Sequence, residues 1–236
     1  MFWEEVAVVK RIEWNGLDMV VKYGRKVSEV EAEVLKMGRS ETAAPVPKVY
    51  GVARDGDEVF IYQELINGRT LYELWPSTDS STRGSLLCDL VHHLNSLHAL
   101  RPPSPATPLG ALVAPPDERL SRLLRLDAEL ASDPIVCGSA AFRDWIALEL
   151  KRRTRDVLAA DVEKLIDALI PLEQTVGLVH SDMHGGNVIV RDGHIVALID
   201  FEYAAWAPPD IAAAVCGSEA RQMAWTPFVT FLQRSA

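Results

Sequence analysis

A chain of 236 residues, 48% hydrophobic and 24% charged, is long enough to bury a large core in one domain or two lobes. Its formal net charge of -9 argues against a nucleic-acid partner, since such binding rests on Lys and Arg neutralising phosphates. Cys88, Cys137 and Cys216 stand far apart with no CxxC pair, and no stretch approaches the roughly 18 apolar residues of a membrane span, so we expect a cytoplasmic protein with no disulfide framework, zinc ribbon or membrane partner.

The segments "VAVVKRIEW" and "DMVVKYG" are rich in Val and Ile and meet at Asn15-Gly16, which predicts a hairpin. In "VSEVEAEVLKMG" the period changes: Val27, Val30, Val34 and Met37 recur at helical spacing, Ser28 suits an N-cap with Glu31 three residues on, and Gly38 suits a stop. "PVPKVYGVARDGDEVFIYQEL" reads as two more strands around Asp55-Gly56. The texture then turns helical. "RGSLLCDLVHHLNSLHAL" carries one apolar face of Leu86, Leu87, Leu90, Val91, Leu94 and Leu97, with His92, His93 and His98 read as surface or packing residues. Pro102 to Pro116 is an irregular connection, and more helices follow through residue 172.

The chemistry gathers in "VHSDMHGGNVIV" and "ALIDFEYA". In an extended chain His180, Asp182 and His184 share one face and suit an open zinc site, the hydrolase reading. The other reading takes residues 180–187 as H-x-D-x-x-x-x-N: Asp182 accepts a proton from a substrate hydroxyl, Asn187 binds magnesium, and Asp200 bridges metal and phosphates. "VIVRDGHIVALIDFE" then reads as a hairpin about Asp192-Gly193 that folds Asp200 back beside Asn187 and Asp182. Phosphotransfer also needs a cation on a strand and a carboxylate on the next helix to orient it. Lys22 and Glu33 meet that demand, and ATP's adenine is placed against Gln63, Glu64 and Leu65 in "IYQELING", with Gly68 letting two lobes move.

With "VVKYG", "EAEVLK", "PVPKVYG", "YQELINGRTLYELWP", "HSDMHGGNVIV" and "IDFEYAAWAPPDIA" in this order, the sequence resembles the aminoglycoside phosphotransferase and choline kinase family over most of its length. The resemblance implies an α+β, two-lobed protein-kinase-like fold: a nucleotide-binding lobe of antiparallel sheet and one helix over residues 1–66, and a mainly helical lobe over residues 67–236. By resemblance Lys22 contacts ATP phosphates, Glu33 pairs with Lys22, Asp182 is the catalytic base, and Asn187 with Asp200 binds Mg²⁺; His180 supports the catalytic loop and Asp210 its surroundings. Two features depart from the family. Ser181 stands where it usually has Gly, and the turn "EWNGLD" holds one glycine rather than a Gly-rich loop.

The expected function is an ATP-dependent, magnesium-requiring kinase for a small hydroxylated molecule. The surplus of carboxylates and the resemblance favour a cationic or amine-bearing alcohol, aminoglycoside-like or choline-like, with Glu202 as a candidate contact, Tyr203 and Trp206 as candidate aromatic packing, and helices between residues 118 and 172 as walls. The alternatives are a non-catalytic nucleotide-binding module and a protein kinase, although "DFEYAAWAPPD" leaves no room for an activation segment.

Overall fold

The computed structural model describes residues 7–115, 118–123, 134–153 and 175–210, which divide between two compact units. The first comprises Met1–Leu97 with Met183–Glu202, and the second His98–Asp182 with Tyr203–Ala236. The boundary expected at residue 66 therefore falls inside the first unit.

The first unit is built on an antiparallel sheet of β1 (Val8–Trp14), β2 (Leu17–Gly24), β3 (Val49–Asp55) and β4 (Glu58–Glu64), in the order β1-β2-β4-β3. Asn15 at φ 51° and Gly16 at φ 77° supply the two left-handed residues of a tight hairpin turn, so β1 and β2 pair without slippage from Val8↔Tyr23 to Trp14↔Leu17. Cross-strand partners share a sheet face, and the pair Lys22↔Ile61 sets Lys22 on the face that carries Val59 and Ile61. That face packs on helix α1 (Glu29–Glu41) through a core of Val27, Ala32, Val59 and Ile61.

Ser28 caps α1 as expected, its hydroxyl accepting the Val30 N–H at 3.2 Å. Gly38 does not stop the helix, which runs on to Glu41 and is closed by the Thr42 hydroxyl donating to the Gly38 carbonyl. The buried stripe is Glu31, Ala32, Val34, Leu35 and Gly38, whereas Val30 is exposed.

After β4 the chain adds a short strand β5 (Arg69–Thr70), the single turn α2 (Leu71–Leu74) and helix α3 (Ser80–His98). Thr70 and Glu73 form a reciprocal capping box that starts α2. All the leucines expected on the apolar face of α3 are buried, and Val91 is half-buried at its margin. Gly68 owes its place to packing rather than to a hinge. A Cβ there would lie 2.6 Å from Ile189 Cγ2 and 2.7 Å from the Val190 carbonyl oxygen, closer than any side chain fits.

The second unit contains strand β6 (Gly110–Ala111), helices α4 (Arg119–Leu123) and α5 (Ser139–Arg153), and strand β7 (Gly177–Val179). The first unit resumes with the hairpin of β8 (Val188–Arg191) and β9 (His194–Leu198), its turn made by Asp192 at φ 52° and Gly193 at φ 79°. β5 extends that hairpin into a sheet ordered β5-β8-β9, while β10 (Ala205–Ala207) lies between β6 and β7 in the second unit. Beyond α4 and α5, the helices expected through residue 172 lie outside the described residues. Among the described residues, no helix is long and apolar enough to cross a membrane.

Candidate active site

The site in the first unit begins with a lysine on the wrong side of a hydrophobic surface. Lys22 is 5% exposed on the α1-facing side of β2, and a buried ammonium is tolerated only with partners. It has three: its Nζ lies 2.7 Å from Asp200 Oδ1, 3.0 Å from the Glu31 carboxylate and 3.3 Å from Glu202 Oε2. Burial pulls the Lys22 pKa down, but the three carboxylates outweigh it and hold the lysine charged well above its ordinary range.

The helix carboxylate is Glu31, not Glu33. Glu33 projects from the opposite side of α1, 67% exposed, and pairs with Lys36 at 2.7 Å. Residues 31, 34, 35 and 38 form one helical stripe, so the side chain that meets the sheet is the acidic member of the apolar face. This also diverts Glu31 from the capping box expected with Ser28. Its 2% exposure raises the carboxyl to about 7; Lys22 opposes the shift and the negative charges of Asp200 and Glu202 add to it. One ammonium cannot fully neutralise three carboxylates.

Asp200 reaches Lys22 because of the β8–β9 hairpin. Val188 pairs with Leu198, so the residues just outside them meet at its open end, where the Ile199 N–H donates to the Asn187 carbonyl at 3.0 Å. Asn187 closes a short 3₁₀ turn, Gly185–Asn187, capped by His184 Nδ1, which accepts the Gly186 N–H at 3.0 Å. Asp200 stands two residues beyond β9 with φ at 65°, a left-handed conformation that no hairpin turn requires there. An amide oxygen and a carboxylate oxygen are hard donors, and a magnesium ion completed by phosphates and water needs only one or two such protein ligands. Asn187 and Asp200 fit that ion, and among the described residues no group of three His, Cys, Asp or Glu forms a protein-only metal cage.

The alternating zinc face is not formed. β7 ends at Val179 and Ser181 turns to φ 59°, so His180, Asp182 and His184 do not lie along an extended strand. His180 Nδ1 accepts the Asp182 N–H at 3.3 Å, as His184 Nδ1 accepts that of Gly186, so in each ring Nδ1 is engaged by the backbone. Asp182 belongs to the second unit, half-buried at its boundary, five residues before Asn187 in the chain. His180, two residues before it, is 2% exposed, and Asp210 lies half-buried three residues past β10.

Gln63 and Glu64 end strand β4, where Gln63 pairs with both Val20 and Val49. The Glu64 N–H donates to the Lys48 carbonyl at 2.8 Å, and its carboxylate takes the Lys48 N–H and approaches Arg39, so Glu64 is a stitch between β3, β4 and α1. Leu65 is the first residue past the last ladder pair, Met19↔Glu64. The three candidate acceptor contacts are committed elsewhere: Glu202 to Lys22, Trp206 to the core at 4% exposure, and the Tyr203 ring to the Arg122 guanidinium, 5.5 Å from its centroid.

The geometry thus joins Lys22, Glu31, Asp200 and Glu202 in one cluster, ties Asn187 to it through the hairpin, and leaves Glu33 outside. A family model described as the phosphotransferase enzyme family matches residues 5–229. No curated protein sequence matches the chain. Among solved structures, a thermostable mutant of the aminoglycoside phosphotransferase APH(4)-Ia in ternary complex with ADP and hygromycin B is 15% identical, with a TM-score of 0.54 over 100% of this chain and 82% of that one. The macrolide 2'-phosphotransferase MphH from Brachybacterium faecium is also 15% identical, with a TM-score of 0.52 over 97% of this chain and 77% of that one. These likenesses bear out the α+β kinase-like fold expected from the sequence, and with the match over residues 5–229 the chain belongs to the phosphotransferase enzyme family.

Proposed function

We propose that this phosphotransferase moves the γ-phosphate of ATP to a hydroxyl of a small molecule, with Mg²⁺ held by Asn187 and Asp200. The observation that carries the reading is the buried Lys22 Nζ, fixed between Glu31 on α1 and Asp200 past β9. In this role Lys22 binds phosphate oxygens, Glu31 holds Lys22 in register, and Leu65 offers backbone groups to the adenine edge. Bound magnesium would supply neutralisation of charge on the phosphates. Asp182 orients the acceptor hydroxyl and takes its proton at the carboxylate.

The acceptor class is a hydroxylated small molecule, cationic or neutral: Trp206 is in the core and the Tyr203 ring already faces the Arg122 guanidinium, which leaves Glu202 as the one candidate contact for a cation among the three considered. Aminoglycoside-like, choline-like and macrolide-like alcohols all belong in the test panel. The test is an ATP titration with and without magnesium, followed by phosphate transfer across that panel. Asp182→Asn is expected to bind ATP as the wild type does and to lose turnover by about a hundredfold to ten-thousandfold. A variant that keeps more than about a tenth of wild-type turnover removes Asp182 from the base role. ATP binding with no transfer by the wild type supports the non-catalytic module instead.

A further inference from the structure

We propose that Glu202 is a positioning residue that occupies Lys22 until a nucleotide phosphate displaces it, and so makes ATP binding depend more steeply on the divalent cation. This rests on the ATP reading above. An ammonium has three N–H donors and no more, and Lys22 spends them on Asp200 at 2.7 Å, Glu31 at 3.0 Å and Glu202 at 3.3 Å. A phosphate oxygen reaches Nζ only if one carboxylate yields.

The three are unequal in how easily they yield. Glu31 is 2% exposed, so a carboxylate leaving Lys22 there would stay buried without its counter-ion. Asp200 is as exposed as Glu202, 38% against 35%, but it has the shortest contact, a short side chain and a backbone set at φ 65°, so contact length and reach, not exposure, separate the two. Glu202 has the longest contact and a long side chain that is 35% exposed, so it can swing into water and recover its hydration. Glu202 is therefore the exchangeable partner.

Displacement has an electrostatic consequence. Even after it swings away, the Glu202 carboxylate stands close to incoming phosphates of the same sign, and that repulsion is largest when no divalent cation offsets the phosphate charge. Removing the charge should help metal-free ATP more than magnesium-bound ATP.

The experiment is calorimetric titration of ATP into the full chain in EDTA and in excess magnesium, for wild type, Glu202→Gln and Glu202→Asp. Glu202→Gln is expected to tighten metal-free binding by about tenfold and to shrink the magnesium enhancement by the same factor, while Glu202→Asp, which keeps the charge, stays within about threefold of wild type. If Glu202→Gln instead loses tenfold or more only in magnesium, Glu202 is a cation ligand and the inference fails. Equal gains in both variants overturn it too, since the contact and not the charge would then matter. A wild type that binds ATP alongside an unchanged Glu202→Gln sinks this inference alone, whereas a wild type that binds no ATP in either condition sinks the nucleotide reading with it.

Discussion

Replacing Glu31 with Gln should make the protein more stable and less active, and the size of the first effect follows from the site's electrostatics. Burial and the nearby charges of Asp200 and Glu202 lift the Glu31 carboxyl from an ordinary 4.5 to about 7, against the pull of Lys22. A raised carboxyl pKa means that the folded state holds the proton more tightly than the unfolded one. Its contribution to stability is full below about 4.5 and is lost as pH rises through about 7. At about 1.36 kcal/mol per pH unit, that window amounts to about 3 kcal/mol. Gln has the shape of the protonated acid, so Glu31→Gln should match wild type near pH 4.5 and exceed it by about 3 kcal/mol above pH 7.5, roughly 6–12 °C in Tm for a chain of this size. The same variant weakens the hold on Lys22, and losing a charge-assisted hydrogen bond of about 1.5–3 kcal/mol lowers kcat/KM about tenfold to a hundredfold. Glu33→Gln breaks only an exposed pair with Lys36 and should move neither quantity by more than about 0.5 kcal/mol. Thermal melts at pH 5 and 8 with ATP turnover on all three proteins provide the check. A Glu31→Gln gain that is the same at both pH values, or an activity loss in Glu33→Gln instead, refutes the reasoning.

Two further outcomes can be measured in the same way. His98, held by burial near a pKa of about 4, contributes with the opposite sign: stability is full above about 6.5 and falls as pH drops towards 4, by at most about 3 kcal/mol, so His98→Gln should abolish that acid-side loss in urea unfolding and leave stability rising from pH 7 to 4.5 as Glu31 takes its proton. Because Glu31 and His98 oppose each other in one window, the wild-type profile should be flatter than either variant leaves it. At position 181, with φ at 59°, Ser181→Gly should be more stable than Ser181→Ala by about 1 kcal/mol, the reverse of the order at an ordinary site; equal or inverted stabilities would mean that the turn relaxes.

The elements legible in the sequence were those whose local chemistry has one solution. Asn15-Gly16 and Asp192-Gly193 each force a two-residue hairpin, and the second carries Asn187 and Asp200 to a common end, so that part of the site followed from turn chemistry. The leucine face of α3 followed from period alone. The choice between Glu31 and Glu33 did not, because both precede Lys36 on a helix rich in acids. The signal was present but had to be read against the usual rule: in the stripe 31, 34, 35, 38 the carboxylate stands where an apolar residue is expected, and such a residue is the one aimed at a buried cation. Glu202 was picked out, but as an acceptor contact, and its pairing with Lys22 was missed for a different reason. Its contact with Lys22 spans 180 positions, and no local pattern distinguishes it from a solvated glutamate beside an aromatic.

Backbone conformation separates turn geometry from site geometry. Among the described residues, four other than glycine have positive φ: Asn15, Ser181, Asp192 and Asp200. Asn15 and Asp192 each precede a glycine in a tight hairpin, where the left-handed pair is what the strand twist demands. Ser181 and Asp200 have no such excuse, since neither is followed by glycine or joins two paired strands. Each holds a conformation that costs an L-residue roughly 1–2 kcal/mol, and such a cost persists only where the surroundings fix the chain. For Asp200 those surroundings include the 2.7 Å bond to Lys22 and the hairpin end one residue before it. For Ser181 they are its own near-complete burial and the neighbouring His180 ring, which takes the Asp182 N–H. Glycine would relieve the strain at Ser181 by the margin predicted above. At Asp200 relief would remove the carboxylate from Lys22, so there the strain belongs to the proposed chemistry.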